Sequence, residues 1–185
     1  ATQSISGERK NKENDLWLTG GLKITPLKDW TINVDYTYNM YILSKKQHGK
    51  EILEHTANPD IVTVFPHTTP SRVKFTTDDN YYQTFNAYTD YTKSLGKHNI
   101  KLLLGYNYET KSYRWFNAER ENLISNDLPG LGQAYGEKYN GSGQHSWATM
   151  GYFARINYNY AERYLLELNG RYDGSSKFPK KSRFG

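Results

Sequence analysis

The residue types that most often carry out chemistry occur in this sequence, but their spacing does not suit it. The histidines show no metal-ligand spacing such as H-x-x-x-H. A glycine-rich stretch, Gly130-Leu131-Gly132 with Gly136, resembles part of a dinucleotide loop but stands in a long polar segment without a strand-to-helix context. No serine, histidine and aspartate are arranged as in a hydrolase, although distant residues can still meet in space. We therefore expect no metal site, no cofactor and no enzymatic activity.

Three aromatic residues, Tyr113, Trp115 and Phe116, are the candidates for contact with a ligand or a partner. They lead into a long polar segment, Lys111–Ser146. Aromatic faces of this kind stack on sugars or on partner proteins, and they also pack a loop against itself. The sequence leaves both readings open.

Composition limits the classes of protein to which the chain can belong. Its 185 residues suit one domain, and only 36% are hydrophobic, yet 15% are aromatic. A disordered chain lacks such aromatic content, so the chain is expected to fold. No apolar run approaches the roughly 18 residues of a transmembrane helix. The net charge of +5 is mild, and no basic stripe or recognition motif points to nucleic acid.

Six segments alternate apolar and polar residues with a period of two, which is typical of β-strands. In the clearest of them, Ile32 and Val34 face one way while Asn33 and Asp35 face the other. The predicted strands are Asp15–Thr25, Trp30–Leu43, Tyr81–Tyr91, Asn99–Arg114, Trp147–Tyr160 and Tyr164–Asp173.

The connections between these strands alternate between short and long. The short ones are Pro26–Asp29, Ser94–His98 and Ala161–Arg163, and the long ones are Ser44–Asn80 and Lys111–Ser146. Barrels of the bacterial outer membrane have short periplasmic turns and long extracellular loops. We therefore predict an all-β, antiparallel transmembrane β-barrel segment of about six strands in three hairpins. Since single-chain barrels begin at about eight strands, it is expected to be part of a larger barrel, with the long connections at its extracellular mouth.

The two faces of the predicted sheet differ in polarity. The residues expected to face lipid are Tyr36, Ile32, Leu102, Leu104, Ile156 and Leu166. The opposite face carries charges that suit a wet lumen, and Arg155, Glu167 and Arg171 are predicted to pair across neighbouring strands. The alternative is a soluble carbohydrate-binding β-sandwich with one solvated face, because each single strand suits either fold.

The stretch from Gly151 to Gly185 has the most distinctive pattern. It reads G-x-x-x-R-x-N-Y-x-Y, then a short turn and R-Y-L-L-E, then R-x-D-G-S-S-x-F, with R-F-G close behind. This stretch resembles the barrel hallmark of the SusC/RagA family, the TonB-dependent transporters of Bacteroidetes. The residues that carry the resemblance are Arg155, Asn157, Tyr158, Tyr160, Arg163, Tyr164, Leu165, Leu166, Glu167, Arg171, Asp173, Gly174, Ser175, Ser176, Phe178, Arg183, Phe184 and Gly185.

Structural roles are favoured for these hallmark residues. The four residues Asp173-Gly174-Ser175-Ser176 are predicted to form a tight hydrogen-bonded turn, with the glycine at positive φ. Upstream, the segments Pro26–Asn39 and Asn99–Glu109 resemble barrel hairpins of the same family, less distinctively.

The resemblance implies a barrel of about 22 strands with a plug inside, in the bacterial outer membrane. It further implies import of oligosaccharides or peptides together with a SusD-like surface lipoprotein, driven through TonB. Residues 1–185 are expected to be a partial barrel domain of such a transporter, with neither plug nor TonB box, in contact with outer-membrane lipid.

Overall fold

The computed structural model describes residues 7–58 and 60–185, and most of its regular structure is β-strand. The strands are β1 (Gly7–Leu27), β2 (Trp30–Gly49), β3 (Leu53–His55), β4 (Val62–Val64), β5 (Arg72–Leu95), β6 (His98–Glu121), β7 (Lys138–Tyr160) and β8 (Tyr164–Ser175). Short 3-10 helices lie at Pro66–Thr68, Leu131–Gln133 and Lys180–Ser182. No helix in the described part of the chain is long and apolar enough to cross a membrane.

The six long strands form one antiparallel sheet in the order β1-β2-β5-β6-β7-β8, so long strands that follow one another in the chain are neighbours. β3 and β4 form a separate antiparallel hairpin, in which Leu53 pairs with Val64. The predicted antiparallel sheet of six strands is therefore confirmed.

The chain divides into two compact units, and long strands contribute residues to both. Unit 1 comprises Ala1–Asp15, Tyr41–Asp79 and Tyr113–Gln144, and unit 2 comprises Leu16–Met40, Asn80–Ser112 and His145–Gly185. Unit 1 therefore holds the hairpin β3–β4 and the connection 122–137, whereas unit 2 holds the three short turns.

The strands are longer than the alternation predicted. β2 spans 20 residues and β6 spans 24, and both run well past their predicted ends at Leu43 and Arg114. Beyond Leu43, β2 carries polar residues on both sides, so no apolar period marks it there, as in residues 45–48 (Lys-Lys-Gln-His). The predicted long connections Ser44–Asn80 and Lys111–Ser146 were therefore too long. They shorten to residues 50–71 and 122–137, and the first contains the hairpin β3–β4, which the sequence did not predict.

The three short connections lie where they were predicted, and the first two are shorter than predicted. Residues 28–29 join β1 to β2, 96–97 join β5 to β6, and 161–163 join β7 to β8. Ala161 and Glu162 both have positive φ, 50° and 58°, and Arg163 N–H donates to the Tyr160 carbonyl at 3.0 Å. This is the primed turn whose twist matches two antiparallel strands. Pro26 does not form the first turn as predicted but lies within β1, an edge strand of this sheet, where a missing N–H is tolerated.

Unit 2 has a polar face and an apolar face. On the polar face Asn107 donates to Asn86 at 2.6 Å, and the hydroxyls of Thr19 and Thr37 lie 3.1 Å apart. The apolar face is formed by large exposed side chains: Leu16, Leu18, Leu22, Ile24, Tyr36, Ile100, Leu104, Tyr152, Ile156, Leu166, Leu168 and Tyr172. Four of the six residues predicted to face lipid are among them, while Ile32 and Leu102 are half-buried.

The apolar face of unit 2 has no hydrophobic core behind it. Within residues 7–58 and 60–185, the buried apolar side chains are Val73 and Ala134, and both belong to unit 1. A β-sandwich would lay a second sheet against the apolar face. Among the residues that the structure describes, the six long strands lie in one sheet and the second sheet is the hairpin β3–β4, so the sandwich alternative is wrong.

Polar residues of the hallmark interact across and along β7 and β8, but not in the predicted pairs. Arg155 lies opposite Asn169 in the register and donates to it at 2.7 Å, and Asn169 in turn donates to Glu167 at 2.7 Å. Arg171 lies opposite Phe153 and instead pairs with Asp173, two residues along the same strand, at 2.7 Å. The predicted direct pairing of Arg155, Glu167 and Arg171 is therefore wrong, because the register offers each arginine a different neighbour.

The predicted turn at residues 173–176 begins later than expected. Asp173, Gly174 and Ser175 remain in β8, and Ser176 starts the turn, its hydroxyl accepting from Ala148 N–H at 2.8 Å. Gly174 does not supply a positive φ. It pairs with Phe184, whose ring occupies the space that a β-carbon would need. Residues 183–185 run back along β8, with Gly185 N–H donating to the Asp173 carbonyl at 3.0 Å.

Glycine 105 offers a direct test of how closely side chains cover the sheet. A β-carbon at Gly105 would overlap the ring of Phe153, whereas one at Gly170 would meet nothing within 4 Å. We expect Gly105→Ala to lower the free energy of unfolding by about 1–3 kcal/mol, as overpacking does. Gly170→Ala should leave it unchanged or raise it slightly. Urea unfolding of the protein in detergent, followed by tryptophan fluorescence, measures both, and equal effects at the two positions would contradict the close contact.

Candidate ligand- and partner-contact site

Tyr113 is held in a polar network within unit 1. Its hydroxyl donates to Asp78 Oδ1 at 2.9 Å, and Lys45 Nζ donates to Asp78 Oδ2 at 2.9 Å. The side chain of Asp78 is only 16% exposed. The network therefore joins β2, β5 and β6 and fixes the phenol in one position.

The network shifts the pKa values of Asp78 and Tyr113 in opposite directions. Partial burial raises the pKa of Asp78, but hydrogen bonds from Lys45 and Tyr113 to the charged carboxylate outweigh it, and the pKa is lowered overall. The pKa of Tyr113 is raised, mainly because its hydroxyl donates to Asp78 and secondarily because it is desolvated. At neutral pH Asp78 is thus a carboxylate anion and Tyr113 a neutral phenol.

Neighbouring positions on the same strands form ion pairs. Arg114 donates from Nε and Nη2 to Asp79 Oδ2, at 3.2 and 2.7 Å. Lys74 pairs with Glu119 at 3.0 Å. Asp78 and Asp79 are consecutive residues of β5, and since successive side chains of a strand point to opposite faces, both faces of unit 1 carry charge.

Trp115 covers two glycines of β7. A β-carbon at Gly143 would be 2.5 Å from the indole Nε1, and one at Gly141 would be 3.2 Å from the six-membered ring. The two glycines are half-buried while Ser142 between them is exposed, so the ring covers the glycine side of the strand. Trp115 is itself half-buried, and part of its surface is open to solvent.

The structure does not bring the three predicted contact residues together. All three lie within β6 rather than in a loop. Tyr113 and Trp115, two residues apart, share one face of the strand, and Phe116 points to the other face with 53% of its surface exposed. Trp115 and Phe116 were predicted to lie in a long connection, where the alternation that separates Phe116 from the other two is not expected.

Hallmark residues line a cleft in unit 2 that the sequence did not predict. Its volume is about 450 Å³, and its walls include Arg171, Asp173 and Phe178 of the hallmark with Asn107 and Glu109 from β6. One signal in the sequence could have indicated this cleft. Asn107 and Glu109 alternate with Tyr106 and Tyr108, so the two more polar residues share one face of β6. Asn157, Arg163 and Tyr164 lie at the other end of the β7–β8 hairpin, where Tyr158 bonds to His98 at 2.7 Å.

No cluster of three or more histidine, aspartate or glutamate side chains suited to a metal occurs within residues 7–58 and 60–185.

Comparison with known proteins identifies relatives of the chain. No family model matches it. A curated protein of Formosa agariphila, TonB-dependent receptor P3, is 30% identical over 99 residues, which are 52% of this chain and 10% of that protein. TonB-dependent receptor SusC of Bacteroides thetaiotaomicron is 26% identical over 171 residues, 85% of this chain and 16% of that protein. These matches confirm the resemblance to the SusC/RagA family.

Solved structures show the same fold. The structure of the RagAB peptide transporter superposes on the whole of this chain with a TM-score of 0.85 at 18% identity, using 20% of the matched chain. The RagAB peptide importer in its open-open state gives 0.84 at the same identity, using 19% of the matched chain. The chain thus spans a fifth or less of each SusC/RagA-type protein that it matches, and what the two share at this identity is the fold.

The Asp78 network makes a testable contribution to stability. Asp78→Asn should lower the free energy of unfolding by about 1.5–3 kcal/mol at pH 7, since it removes a charge that accepts two hydrogen bonds. Because the folded pKa of Asp78 is lowered, this contribution is present above the unfolded value of about 3.9 and is lost as the pH falls through the folded pKa. Urea unfolding of wild type and variant from pH 7 to pH 3 measures it. Asp60→Asn in an exposed loop is the control and should change little, and a wild-type advantage that stayed constant down to pH 3 would contradict the assignment.

Proposed function

We propose that this chain is part of the barrel of an outer-membrane TonB-dependent transporter that imports oligosaccharide or peptide nutrients together with a SusD-like surface lipoprotein. The observation that carries the proposal is the sheet of unit 2, which has one polar and one apolar face and no core of its own. The relatives carry the names TonB-dependent receptor and peptide importer, and they support the same class of function.

The apolar face of unit 2 requires a cover that the described chain does not supply. Each fully buried leucine or isoleucine contributes about 1.5–3 kcal/mol relative to its exposed state. Large side chains stand exposed along this face, such as Leu104, Ile156 and Leu166. Bilayer hydrocarbon is a cover that suits a spanning strand, because neighbouring strands satisfy the backbone hydrogen bonds internally.

The opposite face is unsuited to lipid. Glu109, Arg155, Glu167 and Arg171 lie among amides and hydroxyls on the polar face, and each charge would be costly in hydrocarbon. A water-filled lumen accepts them. In the proposed barrel the polar face therefore lines the lumen, and the apolar face contacts lipid.

Aromatic rings of unit 2 form two groups that suit the two interfaces of a bilayer. One is a row across β5, β6 and β7, with Phe85 and Tyr106 centroids 6.3 Å apart and Tyr106 and Tyr152 centroids 5.1 Å apart. The other lies by the short turns, where His98 is 4.9 Å from Tyr160. Tyrosine is enriched where membrane meets water, since its ring is apolar and its hydroxyl is not.

Residues 1–185 are, in this proposal, a partial barrel domain, and other parts of the protein supply the plug and the contact with TonB. In the proposed transporter the nutrient binds on the polar face of the barrel and at its extracellular mouth. The proposal assigns the chain no catalytic step, metal or cofactor.

Growth of the native host tests the transport function. A strain that lacks the gene should lose or slow growth on one oligosaccharide or peptide source, and inactivating TonB should have the same effect on that source. The protein should fractionate with the outer membrane. Recovery in the soluble fraction, or growth unchanged on every source, would contradict the proposal.

The assignment of the two faces predicts different costs for the same substitution. Leu104→Arg places a charge on the apolar face and should destabilise the protein by about 2–4 kcal/mol in lipid bilayers. Asn107→Arg, on the polar face of the same strand, should cost much less. Equilibrium unfolding in vesicles compares the two, and similar costs would refute the proposed faces.

The alternation of connections predicts which ones are exposed on cells. An epitope inserted after Asp127, in the connection 122–137, should be accessible to antibody on intact cells. The same epitope inserted after Gly96, in the turn between β5 and β6, should be accessible only after the outer membrane is opened. The reverse result would invert the proposed orientation.

A further inference from the structure

We propose that the apolar face of unit 2 binds one phospholipid at a defined site, with an acyl chain in a trough on β5 and the phosphate beside Lys93. The inference rests on the proposed function, since it requires this face to lie in a membrane, and it adds a binding site to that function. The lining of the trough includes Trp30, Ile32, Ala87, Thr89, Leu104 and Tyr106.

The trough arises from the sizes of side chains on three neighbouring strands. β5 lies between β2 and β6 in the sheet, and it contributes the small residues Ala87 and Thr89. The flanking strands contribute larger side chains, an indole and an isoleucine from β2 and a leucine and a tyrosine from β6. The hollow has a volume of about 390 Å³, which is within the roughly 300–1,000 Å³ of ligand pockets. It opens on the apolar face, because Leu104 is one of the exposed side chains of that face.

Two polar groups of the trough are bonded within the protein. Trp30 Nε1 donates to Thr89 Oγ1 at 2.6 Å, and this hydroxyl donates to the Thr31 carbonyl at 3.0 Å. The bonds hold the indole in place, and most of the remaining surface of the trough is apolar. A hydrocarbon chain therefore suits the trough better than a ligand rich in hydroxyls or charges.

Aromatic rings mark both ends of the trough. Phe85 is two residues before Ala87, and its ring centroid is 6.3 Å from that of Tyr106. Tyr91 is two residues after Thr89 and is 38% exposed. Alternate residues of a strand share a face, so both rings are in line with the small residues. Tyr91 lies toward the short turns, where a tyrosine suits the membrane–water interface.

A weakly paired lysine follows on the same face of β5. Lys93 is four residues beyond Thr89, a distance of about 13 Å along the strand. Its ammonium is 3.8 Å from the Asp29 carboxylate, and the two side chains are 45% and 41% exposed, so the pair contributes little. Lys28 belongs to the same turn as Asp29, and Thr92 N–H fixes that turn beside β5 by donating to the Asp29 carbonyl at 2.8 Å.

A phospholipid combines the two properties that this surface recognises. Its acyl chains are apolar, and its phosphate is anionic. A lysine near the end of a membrane-spanning segment extends to the interface, so Lys93 reaches the phosphate while a chain of the same lipid occupies the trough. General contact with lipid depends on neither the hollow nor the lysine. Changes at Ala87 and Lys93 therefore distinguish a defined site from general contact.

The experiment uses the full-length transporter, purified from the outer membrane and freed of lipid by extended washing in detergent. Phosphatidylethanolamine, phosphatidylglycerol and diacylglycerol with the same acyl chains are titrated separately, and native mass spectrometry measures the lipid bound per protein. Ala87→Leu fills the trough, and Ala154→Leu makes the same change elsewhere on the apolar face. Lys93→Gln removes the charge, and Lys101→Gln removes a charge from the polar face. Heat-modifiable migration on gels reports whether each variant is a folded barrel.

We expect wild type to bind both phospholipids and to bind diacylglycerol more weakly. Ala87→Leu should weaken phospholipid binding by about tenfold, because the acyl chain loses the contact of about two methylene groups. Lys93→Gln should weaken it by about fivefold, the effect of one lysine near a lipid surface. The same change should leave diacylglycerol binding unaltered. Ala154→Leu and Lys101→Gln should bind lipid like wild type.

Two results would overturn the inference while the proposed function stands. One is equal phospholipid binding in wild type and in folded Ala87→Leu and Ala154→Leu, which leaves only general lipid contact. The other is diacylglycerol bound as tightly as the phospholipids, with no effect of Lys93→Gln, which removes the phosphate contact. Recovery of the protein in the soluble fraction would remove the proposed function, and the phospholipid site with it.

Discussion

Hydrogen bonding between neighbouring strands is the constraint on which the rest of this structure depends. A soluble domain of similar size is held by a core, yet in the described chain only Val73 and Ala134 are buried apolar residues. With no core, the sheet is held together by its ladder of backbone bonds. That accounts for strands of up to 24 residues, for long strands that pair with their neighbours in sequence, and for turns as short as residues 28–29 and 96–97.

Aromatic rings cover several glycines of the sheet. Glycine in a strand leaves backbone uncovered and weakens the pairing. Three times a ring from an adjacent segment lies over such a position: Phe153 over Gly105, Phe184 over Gly174 and Trp115 over Gly143. Phe184 anchors the segment that returns along β8, and Trp115 covers both Gly141 and Gly143 of β7.

The sequence predicted the fold where the two faces of a strand differ, and failed where they do not. Ile32 to Tyr36 alternate clearly and lie in β2 as expected. Residues 45–48 carry no apolar period and were predicted as part of a long connection, although they continue β2. The strand register could not be predicted either, because alternation gives the face on which a side chain lies but not its partner. Arg171 pairs with Asp173 and not with Glu167. The separation of Trp115 from Phe116 follows from alternation alone, once their segment is known to be a strand.

The polarity of β6 changes along the strand. Its even-numbered residues run from Ile100 through Leu104 and Tyr106 to Arg114, so an apolar face becomes a charged one within the strand. Arg114 is paired with Asp79 and Tyr113 with Asp78, so both faces there bind charged groups. A face that bears ion pairs is stable in water and costly in hydrocarbon. In the proposed barrel, lipid contact would therefore end between Tyr106 and Arg114, and the ion-paired end of β6 would lie in water.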